Sequence, residues 1–156
     1  MFSIYILTHN EEIDIAACIE SALLSDDVIV IDSLSDDRTI EIASRYPVRV
    51  VQHAFESHGK QRTWMLRSIP ARHEWVYILE ADERMTSALF EECLTTIRQP
   101  SHVGYYVAER VMFMGTGFAT ARNILAISFG FLTNTRSGSA IMGTPSAKLS
   151  KALPGF

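Results

Sequence analysis

The feature that most constrains this chain is the alternation of short apolar runs with segments of helical periodicity. Four runs have the length of a buried strand, and a fifth segment alternates apolar and polar residues: 3–7, 28–31, 48–51 and 75–79, then 103–113. Between and after them, apolar residues recur at helical spacing around 15–23, 40–46, 58–69 and 86–98. This order predicts an α/β fold, with a mostly parallel sheet covered by helices on both faces.

Length and composition exclude several classes of protein. The chain has 156 residues, enough for one domain with a real core. Its formal net charge of −4 gives no reason to expect nucleic-acid binding. The two cysteines show neither metal-ligand spacing nor a disulfide pattern. No secretory signal opens the chain, and the apolar run at 124–132 is too short to span a bilayer, so we expect a cytoplasmic protein.

Charge is distributed unevenly along the chain. Residues 1–114 contain all 18 acidic residues and 10 of the 14 basic ones, whereas residues 115–156 contain no acid and six of the eight glycines. This shift predicts a domain over 1–114 and an atypical tail over 115–156, which we expect to be disordered or partly helical.

Polar residues follow the predicted strands, at 8–10, 32–37, 53–59 and 80–83. In open parallel sheets, ligands bind beyond the carboxyl ends of the strands, so these segments are the candidate site. Asn10 can also cap the helix that follows the first strand. Neither a P-loop nor a complete dinucleotide fingerprint is present, because Gly115 and Gly117 lack a third glycine.

The segment from Glu80 to Glu83 places three carboxylates directly after a buried strand. Like charges packed this closely favour a neutralising cation, and hard oxygen ligands suit Mg²⁺ or Mn²⁺. The carboxylates of Glu80, Asp82 and Glu83 are therefore candidate metal ligands. A solvated acidic turn that opens the next helix is the alternative interpretation.

Other polar side chains at the strand ends can contact a nucleotide. The hydroxyl of Thr8 and the amide of Asn10 can face a nucleotide, and Asp32 can accept hydrogen bonds from a base or ribose. Lys60, Gln61 and Arg62 follow Gly59 and can meet a diphosphate. Taken singly, Thr8, Asn10 and Asp32 are better explained as turn or cap residues, and a solvated helix face explains residues 60–62 equally well.

Together and in this order, four motifs resemble family 2 glycosyltransferases of the GT-A fold. They are residues 3–12, 28–39, 59–64 and 74–84. The chain looks most similar to the bacterial enzymes that add glucose to the lipopolysaccharide core. The resemblance covers about residues 1–114 and implies a Rossmann-like GT-A sandwich, truncated in this chain.

The resemblance implies a UDP-sugar donor and inverting, metal-dependent transfer of a hexose to a lipopolysaccharide-core or other glycan acceptor. Thr8, Asn10 and Glu11 would line the nucleotide pocket, and Asp32 would hold the uracil. Asp82 would meet the divalent metal. In the family a carboxylate from the second half of the fold acts as base, and the sequence identifies no residue for that role.

The chain departs from the family pattern at several positions. Glu80 replaces the first Asp of the Asp-x-Asp signature, Leu34 stands where glycine is usual, and Thr63 where asparagine is common. After Glu109 the sequence contains no carboxylate. We therefore hypothesise that residues 115–156 arose by frameshift or gene truncation, and reading the downstream DNA in the other two frames tests this.

Three functional hypotheses follow. The first is a glycosyltransferase, and the second is a truncated, non-catalytic remnant that at most binds nucleotide. The third is a protein that makes peripheral contact with the inner face of the cell membrane through a helix over residues 118–132.

Overall fold

The structure, a computed structural model, describes residues 1–113, 116–128 and 148–149, with side chains described for 1–105 and 107. Strands and helices alternate through the first hundred residues. The strands are β1 (Ser3–Thr8), β2 (Val28–Asp32), β3 (Arg49–Gln52), β4 (Trp75–Glu80), β5 (Gly104–Phe113), β6 (Thr116–Ser128) and β7 (Lys148–Leu149). The helices are α1 (Ile15–Ala22), α2 (Thr39–Ala43), α3 (His58–Ser68) and α4 (Ser87–Arg98).

The strands form one sheet in the order β3-β2-β1-β4-β6-β5-β7. β1 to β4 are parallel, and β6 pairs antiparallel with both β4 and β5. The register places Thr8 beside Asp32 and Leu7 beside Glu80. The carboxyl ends of β1, β2 and β4 therefore meet at one edge of the sheet, as the alternation predicts.

Helices cover both faces of the central strand. Every residue of β1 is buried, which is typical of a strand packed on both sides. The Tyr5 hydroxyl donates to the carbonyl of Ile69, directly after α3, at 2.7 Å. The rings of Phe2 and Phe90, on α4, lie 4.8 Å apart. The predicted α/β class is thus confirmed.

The predicted helices are all present, with small changes at their ends. Thr86 caps α4 by accepting a hydrogen bond from the Leu89 amide at 3.2 Å. α2 ends at Ala43, earlier than the predicted limit at residue 46. The prediction that Asn10 caps the first helix is wrong. α1 begins at Ile15, and Asn10 adopts φ 55° in the preceding turn, a conformation that asparagine tolerates better than most residues.

The expectation of partial helix in 115–156 is wrong for residues 116–128, which form β6. This strand pairs with β5 along its length and reaches β4 through Trp75 and Val76. It therefore joins the sheet built by residues 1–113. A membrane-lying helix is excluded over 118–128, while residues 129–132 lie outside the described residues. Within the part of the chain that the structure describes, no helix is long and apolar enough to cross a membrane.

Candidate functional site

An open cleft of about 1000 Å³ lies at the carboxyl ends of the central strands. Six of the predicted site residues line it. They are Thr8, Glu11, Gln61, Arg62, Glu80 and Asp82. Asn10, Asp32, Lys60 and Glu83 lie outside the lining.

The loops after β1 and β2 hold each other in place. The backbone amide of Asn10 donates to Ser35 Oγ at 2.8 Å, and Asn10 Oδ1 accepts from the amide of Asp36 at 2.9 Å. The amide of Glu11 donates to Thr39 Oγ1 at 2.8 Å. Asn10 therefore uses both its backbone and its side chain to join the two loops, and it positions Glu11 at the cleft.

Asp32 is fully buried behind the cleft. Its carboxylate accepts hydrogen bonds from the Ser35 amide at 2.9 Å and from Gln52 Nε2 at 3.1 Å, and it also accepts one from the Ser35 hydroxyl. These bonds fix the turn that follows β2. The uracil contact implied by the resemblance stays a prediction.

Leu34, in the same turn, has φ 60°. A branched side chain is strained in this left-handed region, where glycine carries no such cost. The Leu34 side chain is 54% exposed and lines the cleft. The departure from the family's glycine therefore leaves the turn in place, but at the expense of backbone strain.

The floor of the cleft is acidic. Glu11, Glu80 and Asp82 contribute three carboxylates, and Arg62 contributes the only Lys or Arg side chain among the described lining residues. Arg62 Nη2 lies 3.2 Å from Glu80 Oε1. No described residue forms a hydrogen bond or salt bridge with the Asp82 carboxylate, which is exposed. An anionic ligand would therefore meet net negative charge unless a cation came with it.

The electrostatics of Glu11 reflect this crowding. Partial burial raises its pKa, and the nearby carboxylates of Asp82, Asp14 and Asp37 raise it further, while Arg84 opposes them. The negative charge of the Glu11 carboxylate is thus disfavoured by its surroundings, and a divalent cation would relieve the same repulsion.

The described residues contain no group of three His, Cys, Asp or Glu side chains able to hold a metal by themselves. That arrangement still fits Mg²⁺ or Mn²⁺ in a nucleotide site, because Mg²⁺ usually takes one or two protein carboxylates and completes its shell with phosphate oxygens and water. Asp82 offers free oxygen ligands of the right chemistry, and Glu80 lies two residues away on the same turn.

Two buried polar atoms at the cleft have no hydrogen-bond partner among the residues that the structure describes. They are Thr8 Oγ1 and Arg62 Nε. Buried polar groups in folded proteins are nearly always paired, so such orphans call for an explanation. Both belong to residues that line the cleft, which makes a polar ligand a simple partner for them.

Helix α3 separates the three polar residues that follow Gly59. Gln61 is buried, and its Nε2 donates to Ser33 Oγ at 2.8 Å on the cleft wall. Arg62 faces the cleft floor. Lys60 instead lies on the exposed side, where its ammonium group pairs with Glu56. Of the predicted diphosphate contacts, Gln61 and Arg62 reach the cleft and Lys60 does not.

Sequence reasoning missed the aromatic wall formed by Phe55 and His58. Their rings meet edge to face at 5.1 Å, and both residues line the cleft. Phe55 is 49% exposed. The available signal was a phenylalanine within a polar loop after a strand, where it has no core to enter.

Comparisons with known proteins agree with this architecture. The model of glycosyl transferase family 2 matches residues 3–150. The lipopolysaccharide core biosynthesis glycosyltransferase LpsC of Rhizobium meliloti is 30% identical over 129 residues, covering 78% of this chain and 46% of that protein. An uncharacterized glycosyltransferase of Rickettsia typhi is 28% identical over 117 residues, covering 72% and 39%.

Two solved structures share the fold. S. aureus TarS 1–349 in complex with UDP has a TM-score of 0.66 at 19% identity, covering 85% of this chain and 48% of that one. Mycobacterium tuberculosis glucosyl-3-phosphoglycerate synthase with Mn²⁺, UDP-glucose and phosphoglyceric acid has the same TM-score and identity, covering 85% and 58%.

The family match continues past residue 115, so it includes β6 and much of the segment that composition sets apart. The chain spans less than half the length of the curated relatives named above. The family model, the strand order and the solved structures agree on one assignment: the chain belongs to glycosyl transferase family 2 and has its GT-A fold.

Proposed function

We propose that this chain provides the donor-binding part of a glycosyltransferase that uses a UDP-sugar, with a hexose, most simply glucose, as the transferred group. The proposed acceptor is the lipopolysaccharide core or another glycan. The likeness to LpsC supports the acceptor class. UDP and UDP-glucose, named in the TarS and glucosyl-3-phosphoglycerate synthase structures, support the donor.

The observation that carries the proposal is the combination of Asp82, Arg62 and Thr8 in one cleft. Among the described residues, none forms a hydrogen bond or salt bridge with the Asp82 carboxylate, and none bonds to the buried Arg62 Nε or Thr8 Oγ1. A nucleoside diphosphate offers anionic oxygens to a guanidinium and hydrogen-bonding groups to a hydroxyl. Phe55 adds an exposed ring on which a base can stack.

Asp82 would hold the divalent metal, with Glu80 as the second carboxylate. When bound, Mg²⁺ or Mn²⁺ would neutralise the charge that develops on a diphosphate leaving group. The protein's own contribution would be to leave the Asp82 carboxylate without a partner among the described residues and to keep Arg62 at the floor. The hydrogen bonds between the loops after β1 and β2 would hold the wall of the cleft that those loops form.

A second function, nucleotide binding without transfer, is favoured by one observation. The carboxylates that line the cleft, among the described residues, are Glu11, Glu80 and Asp82, and the sequence has none after Glu109. A general base must reach the acceptor hydroxyl, and all three lining carboxylates belong to the proposed donor side. Assay of sugar release or transfer from UDP-glucose separates this case from the first.

The deciding experiment is calorimetric titration of UDP into the protein with and without Mn²⁺. We expect binding that depends on Mn²⁺ and is lost in Asp82→Asn. Asp36→Asn is the matched control, because Asp36 is an exposed acid at the same sheet edge but outside the cleft lining. Absence of UDP binding in both conditions, with the protein folded, refutes the proposed donor site.

A further inference from the structure

Helix α1 holds the acidic turn after β4 at both of its ends. The Cys18 thiol contacts the carbonyl of Glu80 at 3.5 Å. On the far side, the amide of Met85 donates to Ser21 Oγ at 3.0 Å. The turn that carries Asp82 is therefore attached to α1 at its first and last residues.

Arg84 fastens the middle of the turn. Its Nη1 donates to the carbonyl of Ala81 at 3.1 Å and to the carbonyl of Glu83 at 2.8 Å. These two carbonyls flank Asp82 on either side. Its Nη2 lies 2.6 Å from Asp14 Oδ1, at the start of α1.

We propose that Arg84 is a positioning residue that fixes the backbone on both sides of Asp82 and thereby aims the Asp82 carboxylate into the cleft. This inference rests on the proposed function, since it concerns how the donor site binds a divalent cation together with a nucleoside diphosphate. Arg84 itself is not among the residues that line the cleft.

The geometry requires the guanidinium itself, in addition to its charge. A planar fork can donate to two carbonyls and a carboxylate at once, whereas a lysine ammonium is a single point of charge on a flexible stem. Side chains that orient a metal ligand typically change metal affinity by about 10- to 100-fold when removed. Arg84 also offsets negative charge at Glu11, so it acts on two carboxylates of the floor.

The test compares Arg84→Gln and Arg84→Lys with the wild type. The control is Arg45→Gln, an exposed arginine on the surface of the domain whose partner is Glu41. Three quantities are measured: the gain in UDP affinity on adding Mn²⁺, the UDP affinity without metal, and amide hydrogen exchange at Glu83 and Met85, whose amides are bonded within the turn and to α1.

We expect both Arg84 variants to lose about 10- to 100-fold of the Mn²⁺-dependent gain and to exchange faster at Glu83 and Met85. UDP affinity without metal and the melting temperature should match those of Arg45→Gln. If Arg84→Lys retains the full gain, charge alone suffices and the positioning role is wrong. Equal loss of affinity with and without metal, together with a lower melting temperature, would indicate a general structural role and also overturns it.

A wild type that binds no UDP at all refutes the proposed function separately. Amide exchange then decides the question for Arg84. Faster exchange at Glu83 and Met85 in Arg84→Gln supports its hold on the turn, and unchanged exchange at both amides overturns it.

Discussion

Arg62 Nη2 lies 3.2 Å from Glu80 Oε1 across the floor of the cleft, and both side chains are more than one-third exposed. An ion pair in such a position contributes little to stability, about 0–1 kcal/mol. It is therefore free to exchange partners. A diphosphate entering the cleft would compete with Glu80 for the guanidinium, which offers several donors at once.

We expect Arg62→Gln to weaken UDP binding by about tenfold, equal to about 1.4 kcal/mol. The loss should appear with and without Mn²⁺, because the contact proposed for Arg62 is with the anion and not with the metal. Arg67→Gln, an exposed arginine later on the same helix, is the control and should leave UDP affinity unchanged. Titration calorimetry measures both, and equal affinities for the two variants would contradict this role.

Thr8→Val should separate binding from stability. The Thr8 hydroxyl is buried and no described residue bonds to it. An isosteric valine would remove an unsatisfied group, so the free energy of unfolding should stay level or rise. UDP affinity should fall. Thr39→Val makes the same change at a hydroxyl that accepts from the Glu11 amide, and it should cost about 1–3 kcal/mol. Urea unfolding of both variants, alongside UDP titration of Thr8→Val, checks the contrast.

Leu34→Gly should stabilise the protein. At φ 60°, leucine carries roughly 1–2 kcal/mol of backbone strain, which outweighs the entropy that a glycine loses on folding, about 0.5–1 kcal/mol. A net gain of about 0–1.5 kcal/mol is expected in urea unfolding. Leu24 is similarly exposed but has no positive φ, so Leu24→Gly should bring no gain. A destabilised Leu34→Gly would show that side-chain contacts, and not the backbone, govern this turn.

A buried carboxylate anchors the opposite edge of the sheet, away from the cleft. Asp27 is 5% exposed and accepts hydrogen bonds from the Ser3 hydroxyl, the Arg72 amide at 2.8 Å and Arg49 Nη2 at 3.0 Å. Burial alone would raise its pKa, but the hydrogen bonds from Ser3, Arg72 and Arg49 outweigh burial and lower the pKa below its usual value.

Asp27→Asn should therefore destabilise the protein by about 1–3 kcal/mol near neutral pH. Because the folded-state pKa lies below the unfolded value of about 3.9, this contribution is complete above that pH. It is lost as the pH falls through the folded-state pKa, so wild type and variant should converge in strong acid. Urea unfolding across this range measures the difference. Asp36→Asn, at an exposed acid, should track the wild type, and a gap that persists in strong acid would rule out a role for the charge.

The central strands could be predicted because buried parallel strands are continuous apolar runs, such as Val28 to Ile31, and little else produces that pattern. The position of the cleft could then be predicted, because ligands bind beyond the carboxyl ends of such strands. Side-chain direction could not be predicted in the same way. Lys60 and Arg62 look equivalent in the sequence, and only the orientation of α3 sends one to solvent and the other to the floor.

The pairing of strands that are distant in the sequence could not be predicted from local sequence patterns either. Composition separates residues 115–156 from the rest, yet Thr116–Ser128 lies between β4 and β5. Charge and glycine content describe a segment's chemistry, whereas strand pairing depends on a partner elsewhere in the chain. Asn10 shows the same limit, since its side-chain oxygen bonds to the loop after β2 instead of capping the helix beside it.

The position of β6 sets an order of events during synthesis. β4 leaves the ribosome before β5, but the strand that pairs with it, at Trp75 and Val76, emerges only after β5 has passed. In a nascent chain that contains only the first five strands, the edge of β4 that pairs with β6 is therefore unpaired. Until β6 arrives, the edge of β4 is open to pairing with other chains, so this interval is when a chaperone would matter most.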